Sequence, residues 1–197
     1  MRLALAALAL AATTAGCATT GDSSGPTDVT RYHLGTAIAP GSVVVEPLTG
    51  SGTAISPEYQ TYADAVAGEL ARIGFAPTPS GTSSQYIAGV SFLRTSQGQV
   101  RTPPKFSIGL GGGSFGRGGG VGGGLSTGFG SKTRDVLATE LAVQLRRRSD
   151  GTVVWEGRAQ RTGLSGPDNQ PGATAQRLAA ALMKGFPGES GITTSVP

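Results

Sequence analysis

Residues 136–161, VLATELAVQLRRRSDGTVVWEGRAQR, constrain the fold of this chain more than any other stretch. Asp150-Gly151 divides the stretch and is a strong hairpin signal, because a tight primed turn requires positive φ and glycine supplies it without steric cost. In the first half Leu137, Leu141, Val143 and Leu145 fall on one face of a strand, with Glu140, Gln144, Arg146 and Arg148 on the other. In the second half Val153 and Trp155 alternate with Val154, Glu156 and Arg158. A period of two with one apolar face describes a sheet buried on one side. A helix from Asp135 to Arg148 is the rival, since Ala, Leu, Glu, Gln and Arg favour it and Leu137, Leu141 and Leu145 would share a stripe. The turn and the Val-Val-Trp run that follow need a partner, so paired strands are predicted.

Around this hairpin the chain alternates strand and helix signals. Arg31–Leu34 predicts a first short strand, and Ser42–Glu46 a better one, ended by Pro47. Ser56-Pro57 opens a helix, with Ser as N-cap and Pro at the first helical position. Tyr59, Tyr62, Ala63, Val66, Leu70 and Ile73 form its apolar stripe, Gly74 stands at the αL stop, and Phe75 folds back. Tyr86–Arg94 predicts the next strand, with Gly89 marking a bulge. Strand, helix, strand in that order fits two parallel neighbours. After the hairpin, Gly163–Gly172 predicts a loop and Ala173–Lys184 a second helix, with Leu178, Ala181 and Leu182 inward. Gly185-Phe186-Pro187-Gly188 stops it, and 191–197 is expected as a tail.

Glycine makes up 33 of 197 residues and is concentrated in Ile108–Gly130, IGLGGGSFGRGGGVGGGLSTGFG. Such a segment loses much backbone entropy on ordering and buries little surface in return. It is expected as a long loop or a loosely formed hairpin extension, with Phe115, Val121, Leu125 and Phe129 as sparse contacts. The predicted fold is α+β: a single mixed sheet of about four to six strands with two helices on one face, plus the glycine-rich loop. The folded domain is expected over 30–190.

Residues 1–16 read as a targeting segment: Arg2 is the positive start and Leu3–Ala12 a short apolar run. That run is shorter than the ~20 residues that span a bilayer. Thr14-Ala15-Gly16-Cys17 resembles the lipobox of bacterial lipoproteins, which implies acylation of Cys17 as the new N-terminus. The residue after it, Ala18, implies the outer membrane by the sorting rule of those proteins. Cys17 is the single cysteine, so no disulfide forms within the chain. Residues 17–29, rich in Thr, Ser and Gly, are expected as a flexible tether.

No catalytic constellation is present. Gly111-x-Gly113-x-x-Gly116 lacks the βαβ setting of a dinucleotide site. Gly128-Phe129-Gly130-Ser131-Lys132-Thr133 resembles a phosphate loop with a displaced lysine, but a strand, not a helix, is predicted next. The patterns around Ser114 and Ser126 match a nucleophile elbow, which needs a histidine later in the chain. His33, the single histidine, precedes both and has no metal-binding partner at suitable spacing. Trp155 is expected as a core anchor. No cofactor, metal or catalytic residue is assigned.

Charge has direction. From Arg94 to Arg161 eleven Lys/Arg stand against four Asp/Glu, a net of +7, whereas the rest of the chain after Cys17 carries −4. A solvated face explains this. A basic patch for an anionic ligand does too, with Arg146, Arg148 and Arg158 as candidate side chains forming one array. Nucleic acid is not expected, since the basic-aromatic interleaving of its binding modules is missing.

Gly74-Phe75 after a helix, the glycine-rich insert, Val153-Val154-Trp155-Glu156-Gly157-Arg158-Ala159 and Phe186-Pro187 together resemble an envelope lipoprotein family, domain-of-unknown-function family 4136. The resemblance spans about residues 30–190 and implies an α/β-type fold and a lipidated location at the bacterial surface. It supplies no catalytic residues. The expectation is a non-enzymatic protein held to the outer membrane by its lipid, facing the periplasm. Its partner would be another envelope protein or an anionic glycolipid.

Overall fold

The alternation in 136–161 becomes two long neighbouring strands, β7 (Lys132–Arg147) and β8 (Val153–Leu164), paired antiparallel. The structure is a computed structural model and describes residues 24–48, 54–102, 106–108, 127–129 and 132–197. Leu141, Val143 and Leu145 point inward and are at most 2% exposed, which settles the strand over the helix. The turn differs from the expected two-residue form. Gly151 alone has positive φ, at +70°, and the Arg147 N–H bonds to the Thr152 carbonyl at 2.8 Å across four loop residues. The Asp150 carboxylate accepts the Thr152 N–H at 3.0 Å and the Arg147 guanidinium at 2.7 Å, which closes the loop.

Five more strands complete the sheet: β1 (Ser24–His33), β2 (Ser42–Pro47), β3 (Ala76–Thr78), β4 (Tyr86–Thr102) and β9 (Thr193–Val196). Its order is β3-β2-β4-β7-β8-β1-β9, seven strands where about four to six were expected. β2 is parallel to β3 and β4, and every other neighbouring pair is antiparallel. The extra strands correct three expectations. β1 starts at Ser24, inside the span read as tether; β9 lies in the span read as tail; and β3 has no apolar pattern to announce it. β4 runs on to Thr102, and its irregularity lies between Ser96 and Gln99, where Gly98 has φ +121°. Gly89 is in regular register opposite Gln144, and Leu48 lies over the place where its Cβ would be.

The glycine-rich insert contributes β5 (Phe106–Ile108) and β6 (Thr127–Phe129), an antiparallel pair consistent with a hairpin extension. Phe115, Val121, Leu125, Ser114, Ser126 and the Gly111–Gly116 pattern lie outside the described residues. β7 begins at Lys132, so a strand follows the segment that resembled a phosphate loop.

Helices α1 (Pro57–Arg72) and α2 (Pro171–Met183) pack on each other and on one face of the sheet. α1 covers the β2, β3 and β4 side, and α2 covers β7, β8 and β1. Ser56 caps α1, its hydroxyl accepting the Tyr59 N–H at 3.0 Å, and Gly74 at φ +99° ends it. The core is the layer between helices and sheet, with Tyr62, Val66, Leu70, Leu178 and Leu182 at most 1% exposed. Tyr62 stacks on Phe92 at 4.4 Å, and Trp155 meets Phe186 at 5.3 Å. The opposite face of the sheet has no helix among the described residues.

Candidate anion-binding groove beside the second helix

The three arginines expected to form one array stand apart. Arg146 and Arg158 both lie on the helix-free face, but the Gln144–Glu156 pair separates their rows. Arg158 is opposite Ala142, four residues along β7 from Arg146, which is about 13 Å. Arg158 Nη1 lies 3.6 Å from Glu140 Oε1, and Gln160 donates to the other oxygen of Glu140 at 2.8 Å. Acid and base therefore alternate across this face. Arg148 lies beyond the end of β7 and donates to the Ser84 carbonyl at 3.0 Å and the Ser84 hydroxyl at 3.2 Å. It pins the hairpin to the segment before β4. Cys17 lies outside the described residues.

Other cations lie on the helix side, between α2 and the β1–β9 edge of the sheet. Arg161, Thr27 and Val196 are direct partners across β8, β1 and β9, so their side chains share the inner face. Above them Arg177, Ala180 and Ala181 of α2 fall on one stripe at i, i+3 and i+4, and Lys184 follows at the helix C-cap. The groove between measures about 600 Å³, and Gly25 and Pro26 stand at its side. Arg161 is only 7% exposed and lies deep, while Arg177 and Lys184 are exposed on the wall. Among the described residues no Asp or Glu side chain lines the groove, and Pro197 stands in it beside Val196.

A helix C-terminus carries partial negative charge, which opposes an anion nearby. Arg31 offsets it here. Its Nε donates to the Leu182 carbonyl at 2.9 Å, and its Nη2 donates to the carbonyls of Ala181 at 2.8 Å and Lys184 at 3.1 Å. Burial lowers the Arg31 pKa from the usual guanidinium value, yet a guanidinium keeps its charge through the neutral range.

His33 serves as a latch. Its Nδ1 accepts the Gly35 N–H at 3.1 Å, so the neutral ring carries its proton on Nε2, which donates to the Gly188 carbonyl at 3.1 Å. Among the described residues no group of three His, Cys, Asp or Glu could hold a metal ion.

The sequence reading missed Arg31, Arg161, Arg177 and Lys184. A signal existed for two features. Arg161 has the same strand parity as Trp155 and Ala159, hence faces inward, and Arg177 and Lys184 are seven apart on a helix whose inner residues are Leu178 and Leu182. What the sequence could not show was β9, which supplies the far side.

This is an α+β domain with a helix layer on one face of a mixed sheet and a basic groove at one edge. Residues 45–188 match the family described as Domain of unknown function (DUF4136), and the chain belongs to that family. An uncharacterized protein of Zymomonas mobilis, ZMO1243, is 31% identical over 213 aligned residues, covering 87% of this chain and 80% of its own. Two solved PelC dodecamers from Paraburkholderia phytofirmans are 17% and 15% identical, with TM-scores of 0.47 and 0.44; each match covers 80% of this chain and 94% of theirs. A PDZ domain protein from Parabacteroides distasonis is 9% identical with a TM-score of 0.45, over 88% of this chain and 39% of that one. The family match includes Arg161, Arg177 and Lys184; β1 and β9 fall outside it.

Proposed function

We propose that this chain is a lipid-anchored, non-enzymatic protein of the bacterial envelope with a structural or assembly role, held on the periplasmic side of the outer membrane. The observation that carries this reading is Ala15-Gly16-Cys17 behind Arg2 and the apolar run Leu3–Ala12. Several acyl chains on Cys17, at about 0.8 kcal/mol per buried CH₂, would hold it firmly. Among the described residues no helix is long and apolar enough to cross a membrane, which is compatible with a lipid anchor. The helix-free sheet face, where Tyr32 and Leu93 are 51% and 63% exposed, supports an assembly role. Membrane fractionation of wild type and Cys17→Ser tests the anchor. Wild type should leave the membrane only with detergent, and Cys17→Ser should stay unprocessed or become soluble. Unchanged, detergent-dependent association of Cys17→Ser overturns the reading.

The basic groove favours a second reading, a binding module for an anionic envelope ligand such as a lipid headgroup, lipopolysaccharide or peptidoglycan.

A further inference from the structure

We propose that the free edge of β9 pairs antiparallel with β9 of a second copy of this chain, and that each copy's Ile192 enters the groove of the other. The proposal rests on the assembly role above and names its surface and its partner.

Edge chemistry is the first argument. β9 ends the sheet, and among the described residues its one neighbouring strand is β1. Its outer N–H and C=O groups are a template for a further strand. Sheets commonly protect such edges with charge or proline. The opposite edge has that protection, since Pro77 lies within β3 and Pro79 follows it. Residues 192–196, Ile-Thr-Thr-Ser-Val, hold neither charge nor proline, and four of the five are β-branched. β9 is also fixed in place before a partner arrives. The Thr30 and Thr193 hydroxyls hydrogen-bond at 2.7 Å, and the Ser195 hydroxyl donates to Asp28 at 2.8 Å.

Symmetry is the second, and it selects a second copy over any other extended segment. About Thr194 the sequence reads alike in both directions: apolar, hydroxyl, Thr, hydroxyl, apolar. Antiparallel pairing centred there sets Thr194 opposite the partner's Thr194 and Thr193 opposite the partner's Ser195. Ile192 then stands opposite the partner's Val196, and no charge meets a like charge along the five positions.

The groove is the third. Ile192 is 45% exposed and has the strand parity of Val196, which lies on the inner face of the sheet. Val196 lines the groove with Pro26, Ala180, Ala181 and Pro197. The partner's Ile192 reaches this apolar wall from the seam. It asks nothing of Arg161 or Arg177, whose own contacts stay in place. Five residues a side fall well short of the roughly 20–30 of a stable complex, so the pairing is weak in solution. Two chains held in one membrane would meet at a higher effective concentration.

The full chain carrying Cys17→Ser has no cysteine. Single cysteines are introduced into it and oxidised in solution with copper phenanthroline. Residues directly opposite in an antiparallel pair have Cα atoms about 4.5–5.5 Å apart, within disulfide reach. Thr194→Cys should therefore give a linked dimer. Thr193→Cys or Ser195→Cys alone is set about 7–8 Å from its own copy and should link about tenfold more slowly. A mixture of those two chains should form the mixed dimer at the Thr194→Cys rate. Thr78→Cys, on the proline-protected edge, should not link. Ile192→Ser added to Thr194→Cys should slow linking about tenfold, as two apolar contacts are lost. Equal rates at every position would show random collision and overturn the pairing. So would the absence of dimer from both Thr194→Cys and the mixture. An unchanged rate with Ile192→Ser would overturn the seating of Ile192 in the groove. If Thr194→Cys fails to fold, as read by circular dichroism, the mixture decides alone. Every chain here lacks the acylated cysteine, so failure of the anchor in fractionation would leave these outcomes readable.

Discussion

The Arg31 guanidinium donates to the Leu182 carbonyl at 2.9 Å, so a side chain of the sheet finishes the second helix. Helix ends leave carbonyls without intrahelical partners, and a buried end must find donors elsewhere. One guanidinium serves Ala181, Leu182 and Lys184 together because its N–H groups form a fixed fork.

Arg31→Met should therefore destabilise the protein by about 2–4 kcal/mol, since the carbonyls left behind are partly buried. Arg31→Lys should recover less than half, because an ammonium lacks the planar fork. Urea titration of the three proteins measures both. A loss under about 0.5 kcal/mol for Arg31→Met would mean that water replaces the guanidinium at the helix end.

Trp155 is 1% exposed, and its indole N–H donates to the Pro187 carbonyl at 2.9 Å. Its ring lies over Gly157, the next inward position on β8: a Cβ there would be 2.7 Å from Trp155 Cη2 and 2.8 Å from Leu182 Cδ1. The spacing Trp155-Glu156-Gly157 is thus a steric requirement. Trp155→Ala should cost about 3–5 kcal/mol and Gly157→Ala about 1–3 kcal/mol. Fluorescence of the single tryptophan follows unfolding of the glycine variant directly. An unchanged denaturation midpoint for Gly157→Ala would show that the ring can swing aside.

Burial, and then the Glu58 carboxylate, raise the Tyr62 pKa to about 12, with Arg94 acting the other way. Burial, and then Glu46, raise Tyr59 to about 12. Both hydroxyls are buried without a hydrogen-bond partner among the described residues. Unfolded tyrosine ionises near pH 10, so between about pH 10 and 12 the folded chain holds more protons than the unfolded one. Stability from these groups is complete below pH 10 and is lost as pH rises toward 12. Tyr59→Phe with Tyr62→Phe should flatten that loss and be neutral or stabilising by up to about 1 kcal/mol at pH 7. Urea midpoints measured across the alkaline range decide it, and an equally steep fall in the double variant would assign the loss to other groups.

Legibility in the sequence followed how each element is stabilised. β7, β8 and α1 carry their own instructions: alternation around Leu141 and Val143, and a capped stripe from Tyr59 to Leu70. β3 and β9 carry almost none, since Ala76–Thr78 and Thr193–Val196 are short and lack an apolar period. Such strands form because a neighbour presents unpaired backbone groups, a tertiary cause that propensity does not record. Ser24–Thr27 shows the same effect, as Gly25 and Pro26 discourage a strand until β8 is beside them. The arginine array failed for a related reason. Strand parity placed Arg146 and Arg158 on one face correctly, but their offset along it depends on the hairpin register, and Arg148 was drawn off to Ser84. The groove needed β9, so it could not be assembled from pattern alone.

β1 lies between β8 and β9, and the Ser195 hydroxyl donates to the Asp28 carboxylate at 2.8 Å across 167 positions of sequence. Contacts of such separation form only after a long loop has closed. A chain threaded through a membrane from its amino end presents β1 first and β9 near the last. This edge of the sheet stays open through most of such a passage. In the exported protein proposed above, closure of this edge would wait until the passage is nearly finished, which would keep the chain slack enough to be moved.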